Sequence, residues 1–399
     1  MIMEFSRLYL TGLTLAFLSV TSIAKTVDVT VTNPSSKDRV NEIVEIKASE
    51  LINKVGSAHL YVTDSEMKEI PSQITYDSLL IFSASVPAGG ETKYQIHSSE
   101  APHIYLPIVT GKTRPERQDD LSWENDLVGF RAYGPDTRHR GEKAFGYDIF
   151  FKHPTQTPVL DILYEMQTSS ANWAKVDSLR KVDPRKAKAF QDLISYHIDS
   201  GLGMDCYAVG PTLGDGTTAL LVADSIYYPW TYENIEILDN GPLRFTARLI
   251  FPKASVDKDK STVETRTITL DAGSHLNRCT VTYEGLSKPQ KIVTGFPLRD
   301  DSEPISDIKH GIIAYADPTQ GPDNGKALLG VILPEGIKDS FRKDNHILGI
   351  AKVSTAKPFT YYWGFAWDKA DITSLKDWHE YLIDLATRQP LSCRISPSL

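Results

Sequence analysis

The sequence has little cysteine, no excess of positive charge and only one long apolar run. Its 399 residues include three cysteines, at positions 206, 279 and 393, too far apart for a disulfide-rich scaffold or a zinc knuckle. With 43 Lys and Arg against 51 Asp and Glu, the formal net charge is −8. This balance argues against binding to a phosphate backbone, so we expect no nucleic-acid partner.

The apolar run lies at the N-terminus. Arg7 precedes it, Leu8 and Val20 bound it, and Ser22-Ile-Ala24 is a small-x-small cleavage pattern. The run is too short to span a bilayer, and a buried helix is the alternative interpretation. We predict a signal peptide over residues 1–24, a periplasmic or secreted mature protein and no membrane insertion.

Several enzyme signatures are also absent. The chain has no G-x-S-x-G nucleophile elbow, no H-E-x-x-H zinc helix and no G-x-G-x-x-G dinucleotide loop. The ten histidines and the acidic residues show no metal-ligand spacing. We therefore expect no cofactor, and the sequence gives no support for a divalent metal ion.

What dominates the chain is a period-two alternation of apolar and polar residues, typical of half-buried strands. It predicts strands at Thr26–Thr32, Lys93–Ile96, Thr262–Leu270 and Arg278–Tyr283, separated by turn clusters at short intervals. Short intervals favour antiparallel hairpins. We predict an all-β protein whose residues 25–399 form one large antiparallel β-sandwich with a few short helices.

Helical signals are few. Ser374 and Asp377 resemble a capping box, which opens an apolar stripe at helical spacing: Leu375, Trp378, Leu382 and Leu385. The stripe predicts a C-terminal helix packed on a sheet. Residues 176–196 are rich in lysine and contain Pro184. We predict a loop there with one or two short helical turns.

Polar and aromatic residues gather in the centre of the sequence. Strand alternation places Arg131 and Tyr133 on one face. Beside histidines, an arginine and a tyrosine suit a concave site for an anionic sugar, because guanidinium can bind a carboxylate through two hydrogen bonds. The alternative is a surface ion pair on a strand.

Three segments resemble one bacterial family: Trp123–Pro135, the hairpin Thr262–Tyr283, and Gly203–Tyr207 followed by Val209–Gly216. That family has a galactose-mutarotase-like β-supersandwich fold, occurs in polysaccharide-utilisation loci and includes the ulvan oligosaccharide dehydratase. The resemblance implies a dehydratase, which is a carbon–oxygen lyase. It would remove water from the non-reducing-end uronic acid of an ulvan-like anionic oligosaccharide and leave a 4,5-unsaturated uronate.

Such an elimination needs a cation for the carboxylate, a base for the C5 proton and an acid for the departing oxygen. In the light of the resemblance, we expect Arg131 to bind the carboxylate. We expect His197 and Tyr207 to be base and acid, in either order, with Lys152 and Tyr164 as the competing pair. Further substrate contacts are expected from Trp123, Glu124, Tyr133, His139, His153, Asp205 and Trp367.

Other functions fit the same features. A polysaccharide lyase would cleave a uronate-containing polymer, and mutarotation would need a similar acid–base pair. A non-catalytic carbohydrate-binding protein would keep the sandwich and its aromatic residues. A structural role is the alternative for each histidine named above.

Overall fold

The computed structural model describes residues 26–397, so the predicted signal peptide lies outside the described residues. The strands run β1 Thr26–Thr32, β2 Arg39–Lys47, β3 Leu60–Thr63, β4 Glu69–Ile70, β5 Ser72–Ile74, β6 Leu79–Val86, β7 Glu91–Ser98, β8 Thr110–Arg114, β9 Asp120–Glu124, β10 Gly129–Ala132, β11 Asp148–Lys152, β12 Gly203–Met204, β13 Thr218–Val222 and β14 Ser225–Tyr227. They continue as β15 Asn234–Asn240, β16 Arg244–Ile250, β17 Ala254–Val256, β18 Asp259–Asp271, β19 Leu276–Glu284, β20 Lys291–Pro297, β21 Ile305–Asp307, β22 Ile312–Asp317, β23 Ala327–Ile332, β24 Ile337–Lys343, β25 His346–Ser354, β26 Phe359–Trp367 and β27 Ser392–Pro397. The α-helices are α1 Ala48–Val55, α2 Pro135–His139, α3 Leu160–Thr168, α4 Ser170–Val182, α5 Pro184–Ile194 and α6 Leu375–Thr387, and Pro115–Arg117 forms a 3-10 turn.

The described strands form five antiparallel sheets, which confirms the predicted all-β sandwich. The largest has nine strands in the order β15-β16-β18-β19-β26-β23-β22-β21, with β17 beside β18. Two five-stranded sheets, β12-β11-β10-β9-β8 and β14-β13-β20-β25-β24, lie against it. Between them is the main hydrophobic core, where Trp363 stacks on Tyr147 with ring centroids 4.0 Å apart.

A second sandwich is built from the N-terminal segment. Its sheets are β27-β1-β7-β3-β4 and β2-β6-β5, and they enclose a separate core that includes Val29, Val62 and Phe82. The strand β27 comes from the end of the chain and pairs with β1. The division of the apolar core into separate clusters was not apparent from the uniform alternation in the sequence.

The predicted C-terminal helix is confirmed as α6. The Ser374 hydroxyl accepts a hydrogen bond from the backbone N–H of Asp377 at 3.1 Å, which satisfies one of the unpaired donors of the first turn. Trp378 and Leu382 are completely buried against the outer face of the nine-stranded sheet. The spacing of the apolar stripe therefore located both the helix and its buried face.

The prediction for residues 176–196 was wrong, because the chain there forms the C-terminal half of α4 and all of α5. Pro184 does not interrupt a helix but occupies its first turn, where a missing N–H costs nothing. The Asp183 side chain caps α5 by accepting from the N–H groups of Arg185 and Lys186.

The cysteines at 206, 279 and 393 are free thiols. Among residues 26–397, no helix is both long and apolar enough to cross a lipid bilayer.

Candidate functional site

The candidate site begins on the outer face of the sheet β8–β12, which α3 covers. Phe130 points into the main core, so Arg131 points outward by alternation, as predicted. The antiparallel register sets Arg131 opposite Asp148 on β11 and Ser122 on β9. Asp120 precedes Ser122 by two residues and therefore lies on the same face.

Arg131 is the centre of a buried polar cluster. Its guanidinium forms an ion pair with Asp148 and a second one with Asp205 at 3.1 Å. Tyr133 donates from its hydroxyl to Asp148 at 3.0 Å. Both carboxylates contact Nη2, whereas Nε and Nη1 are buried without partners, and Arg131 is only 4% exposed, so no substrate can reach the guanidinium. The expectation that Arg131 binds a substrate carboxylate is corrected on this ground, and we assign it to positioning.

The loop from Tyr196 to Tyr207 brings Asp205 to this cluster. It can do so because Gly203 has φ 118° and approaches β11 so closely that a Cβ atom would lie 2.0 Å from the Phe151 carbonyl oxygen. Only glycine tolerates this combination of backbone angle and contact. The loop also contains β12, which pairs with β11. This strand pairing fixes Asp205 beside Arg131.

His197 lies at the mouth of the cluster. Its Nδ1 atom is 2.9 Å from the backbone carbonyl oxygen of Asp205 and 3.9 Å from the carboxylate of the same residue. Since a carbonyl oxygen can only accept, Nδ1 carries a proton, and in the neutral imidazole the lone pair is therefore on Nε2. The side chain is 55% exposed. The imidazole is thus held in one tautomer with a basic nitrogen available to a ligand.

Arg117 is a functional candidate that the sequence analysis missed. Its guanidinium carbon is 5.7 Å from the centroid of the Tyr196 ring, and the His197 ring lies 4.6 Å from that same ring. The guanidinium makes no ion pair within residues 26–397, and its Nε has no hydrogen-bond partner. Arg117 is the last residue of the 3-10 turn Pro115–Arg117, which has no recognisable motif, so only its position near the Tyr196 ring, which His197 also contacts, identifies it.

Burial controls the electrostatics of the cluster. Burial is the main reason that the pKa of Asp205 is raised to about 6. The charge of Asp148 adds to this increase, whereas the charge of Arg131 opposes it. Burial likewise raises the pKa of Asp120 to about 6, again opposed by Arg131. For Tyr133, burial and then Asp148 raise the phenol pKa well above its usual range. Tyr133 is therefore a donor, and the two acids can hold protons near neutral pH.

These raised pKa values predict a pH-dependent stability. The unfolded chain releases the Asp205 proton near pH 4, whereas the folded protein keeps it to about pH 6, so stability falls as the pH rises between these values. Between pH 4 and pH 7, the free energy of unfolding of wild type should fall by about 3 kcal/mol more than that of Asp205→Asn. The reason is that folding shifts the Asp205 pKa by about two units. Urea unfolding of both proteins at the two pH values measures this, and parallel pH profiles would contradict it.

Three predicted site residues lie in the interior instead. Trp123 is completely buried in the main core, where its indole N–H donates to Asn277 at 2.8 Å. Lys152 and Glu124 form a buried ion pair at 2.6 Å, and each is 1% exposed. Glu124 also accepts from the backbone N–H of Leu160, the first residue of α3. None of these three side chains is accessible to a sugar, so we assign them a structural role.

The expected pair of His197 and Tyr207 is not formed, because no contact joins the two side chains. Tyr207 is buried, and its ring lies 5.2 Å below the guanidinium of Arg299, which pairs with Asp317. The alternative pair is not formed either. Tyr164 belongs to the Arg131 cluster but is fully buried, and Lys152 is held by Glu124.

The remaining predicted contacts are dispersed. His153 lies at the opposite end of β11 from Asp148, where it bonds Asp199 at 2.9 Å and packs over Trp367. Trp367 is 2% exposed, so it supports His153 and does not face solvent. His139 is exposed on α2 and pairs with Asp136 at 3.5 Å. Arg131, Tyr133, Tyr164, Asp205 and His197 are the predicted residues that the fold brings together.

A cleft of about 980 Å³ lies elsewhere, between β2 and the nine-stranded sheet. None of the predicted site residues lines it. We place the candidate chemistry at His197 because its free nitrogen lies next to the buried Asp205, and an unpaired arginine lies near the same Tyr196 ring. Within residues 26–397, no group of three or more His, Cys, Asp or Glu side chains could hold a metal ion.

Comparison with known proteins decides the family. Residues 31–393 match the family described as "Domain of unknown function (DUF4861)". The chain belongs to this family. It is also similar to "Uncharacterized protein P7" of Formosa agariphila, with 26% identity over 284 residues, which cover 69% of this chain and 66% of that protein. The match thus spans slightly less than two thirds of the relative.

Two solved structures are similar to this member of the DUF4861 family. An α-mannosidase from Enterococcus faecalis V583 has a TM-score of 0.50 and 10% identity, covering 93% of this chain and 46% of the mannosidase. A protein in the glycosyl hydrolase family 38 from Enterococcus faecalis has a TM-score of 0.49 and 10% identity, covering 93% and 47%. The chain spans about half the length of both. At this identity, the mannosidase match supports the sandwich fold and no more.

Proposed function

We propose that the protein is a carbohydrate-active enzyme, and more specifically a dehydratase that acts on oligosaccharides ending in a uronic acid. The observation that carries the proposal is that His197, with a free imidazole nitrogen, and Arg117, with an unpaired guanidinium, both lie near the ring of Tyr196. A cation and a base are what removal of a proton next to a carboxylate requires. The ulvan-type substrate rests on the resemblance of the sequence segments, and the mannosidase neighbour is consistent with a sugar ligand.

The cluster suggests a division of roles. Arg117 binds the uronate carboxylate and stabilises the negative charge that develops on it. His197 Nε2 removes the C5 proton, a double bond forms between C4 and C5, and the C4–O bond breaks. The imidazolium then returns its proton to the departing hydroxyl, which leaves as water. Arg131 and Asp205 position His197 through the Asp205 backbone carbonyl and touch no substrate.

An aromatic surface next to the cluster favours an oligosaccharide over a single sugar. Phe145 stacks on Tyr228 with ring centroids 5.3 Å apart and meets Trp230 edge-on at 6.0 Å. All three rings are partly exposed. Phe145 and Trp230 line the same small hollow as Tyr133 of the cluster. We infer that this surface stacks against a second sugar ring of the substrate.

Trp230→Ala should raise KM for a disaccharide or longer substrate about 10-fold and leave kcat within about 2-fold, because it removes binding that ground and transition states share. Steady-state kinetics on an oligosaccharide measure both constants. Trp173→Ala is a matched control, since both indoles are partly buried and donate to a backbone carbonyl. Equal KM values for the two variants would remove the aromatic surface from the site.

The function itself is tested by incubating the protein with saturated uronate-ended oligosaccharides and recording mass spectra. We expect a product that is lighter by one water, absorbs in the ultraviolet and keeps its number of sugars. A shortened chain would instead identify a polysaccharide lyase. Binding without any product would identify a carbohydrate-binding protein. A periplasmic location after cleavage near Ala24 remains part of the proposal.

A further inference from the structure

The cleft between β2 and the nine-stranded sheet has no role in the site above. Its volume of about 980 Å³ is at the upper end of the range of roughly 300–1,000 Å³ for ligand pockets. One wall is β2 of the N-terminal sandwich, and the floor is the outer face of the nine-stranded sheet. The C-terminal half of α6 closes one side. A space this large between two sandwiches can hold an extended ligand.

The floor of the cleft carries one row of side chains across four strands. The strand register sets Thr269 opposite Arg278, Arg278 opposite Tyr362, and Tyr362 opposite Ile332. All four line the cleft. Adjacent strands are about 4.8 Å apart, so the row extends about 14 Å. It places a phenol ring directly beside a guanidinium.

Arg278 differs from the other arginines of the cleft. Arg39 and Arg388 both pair with Glu42 at 3.2 Å, and Arg244 pairs with Asp271 at 2.6 Å. Arg278 is a partly buried residue, and its guanidinium makes no ion pair or hydrogen bond with any described residue. It therefore presents an uncompensated positive charge inside a partly desolvated space, where an anionic group of a ligand binds most strongly.

The cleft has groups for binding but not for acid–base chemistry. Of the six acids that line it, Glu42, Glu45, Asp271 and Asp384 pair with arginine or lysine, Asp38 accepts from the backbone N–H of Ala88, and only Glu50, which is exposed, has no partner among the described residues. His310 donates through Nδ1 to the Asp307 carboxylate at 2.6 Å, and Asp307 lies outside the cleft lining. A ligand in this space would be held and not converted.

We propose that the cleft is a second carbohydrate-binding site, which holds an acidic glycan chain with a carboxylate or sulfate on Arg278 and a sugar ring against Tyr362. The anionic group is inferred from Arg278, whereas the choice of a glycan rests on the proposed function. Such a site would keep polymeric substrate on the protein while chain ends reach His197.

Calorimetry tests this with three probes: trigalacturonate, a sulfated disaccharide and neutral maltotriose. In the background of Arg117→Ala, which removes carboxylate binding near His197, trigalacturonate should still bind at one site. Adding Arg278→Ala should weaken that binding at least 10-fold, Arg278→Glu should abolish it, and maltotriose should bind weakly throughout. Arg342→Ala, which removes an exposed arginine paired with Glu303, is the matched control and should have no effect.

Unchanged affinity in Arg278→Ala and Arg278→Glu, or equal affinity for maltotriose, would overturn the cleft site. Tighter binding of the sulfated disaccharide than of trigalacturonate would support the site and identify sulfate as the preferred group. The outcome is separable from the proposed function, because Arg278→Ala should leave turnover of a disaccharide unchanged. Conversely, absence of turnover in wild type would not affect binding in the cleft.

Discussion

Replacement of His197 by alanine should lower turnover at least about 10²-fold, the usual loss when an acid or base is removed. The reason is that His197 is the one imidazole of the cluster around Arg131 and has its basic nitrogen free. The stability of the protein should change little, since the side chain is 55% exposed. Steady-state rates on a uronate-ended oligosaccharide, with urea unfolding curves alongside, measure both quantities.

Two further variants separate chemistry from structure. His197→Asn can keep the hydrogen bond to the Asp205 carbonyl through its amide N–H but has no base, so it should be as slow as His197→Ala. His139→Ala removes a histidine of similar exposure from α2 and should retain wild-type rates. Recovery of activity in His197→Asn would show that the imidazole only holds the loop in place.

The largest expected loss of stability comes from Lys152→Met. This change leaves the Glu124 carboxylate buried without its cation and should lower the free energy of unfolding by about 3–5 kcal/mol. Glu124 also caps α3, so the weakened region should include that helix. Urea unfolding followed by far-ultraviolet circular dichroism measures the midpoint shift.

A surface ion pair supplies the control. Lys188 and Asp192 lie 2.5 Å apart with both side chains accessible to solvent, so Lys188→Met should cost less than about 1 kcal/mol. The double variant Lys152→Met with Glu124→Gln should recover part of the loss, because no unpaired charge remains. If Lys152→Met abolished turnover without lowering stability, the catalytic role first expected for Lys152 would be restored.

Local sequence patterns predicted much of the fold. Alternation located strands such as β1 and β18, and the capping pattern at Ser374 located α6. The same rules misjudged residues 176–196, since proline marks the start of a helix as well as its interruption. Neither alternation nor turn spacing shows which strands share a core, because the separation of the N-terminal sandwich depends on pairings between distant segments.

The site was only partly predictable for a similar reason. Strand alternation placed Arg131 and Tyr133 together, but it could not show that Asp148 and Asp205 would occupy the guanidinium. The parity of β11 also places Asp148, Phe150 and Lys152 on one face, and this signal could have identified Asp148. Tertiary packing alone brings Arg117 to the site, so no spacing of residues in the sequence could have predicted its place there.

The pairing of β1 with β27 has a consequence for how the molecule assembles. Residues 33–391 separate the two strands, so this contact has an unusually high sequence separation and should form late in folding. Until it forms, one edge of β1 offers unpaired backbone groups to other chains. During synthesis the N-terminal sandwich therefore stays unfinished until residues 392–397 have been made, and its protection from aggregation depends on that distant segment.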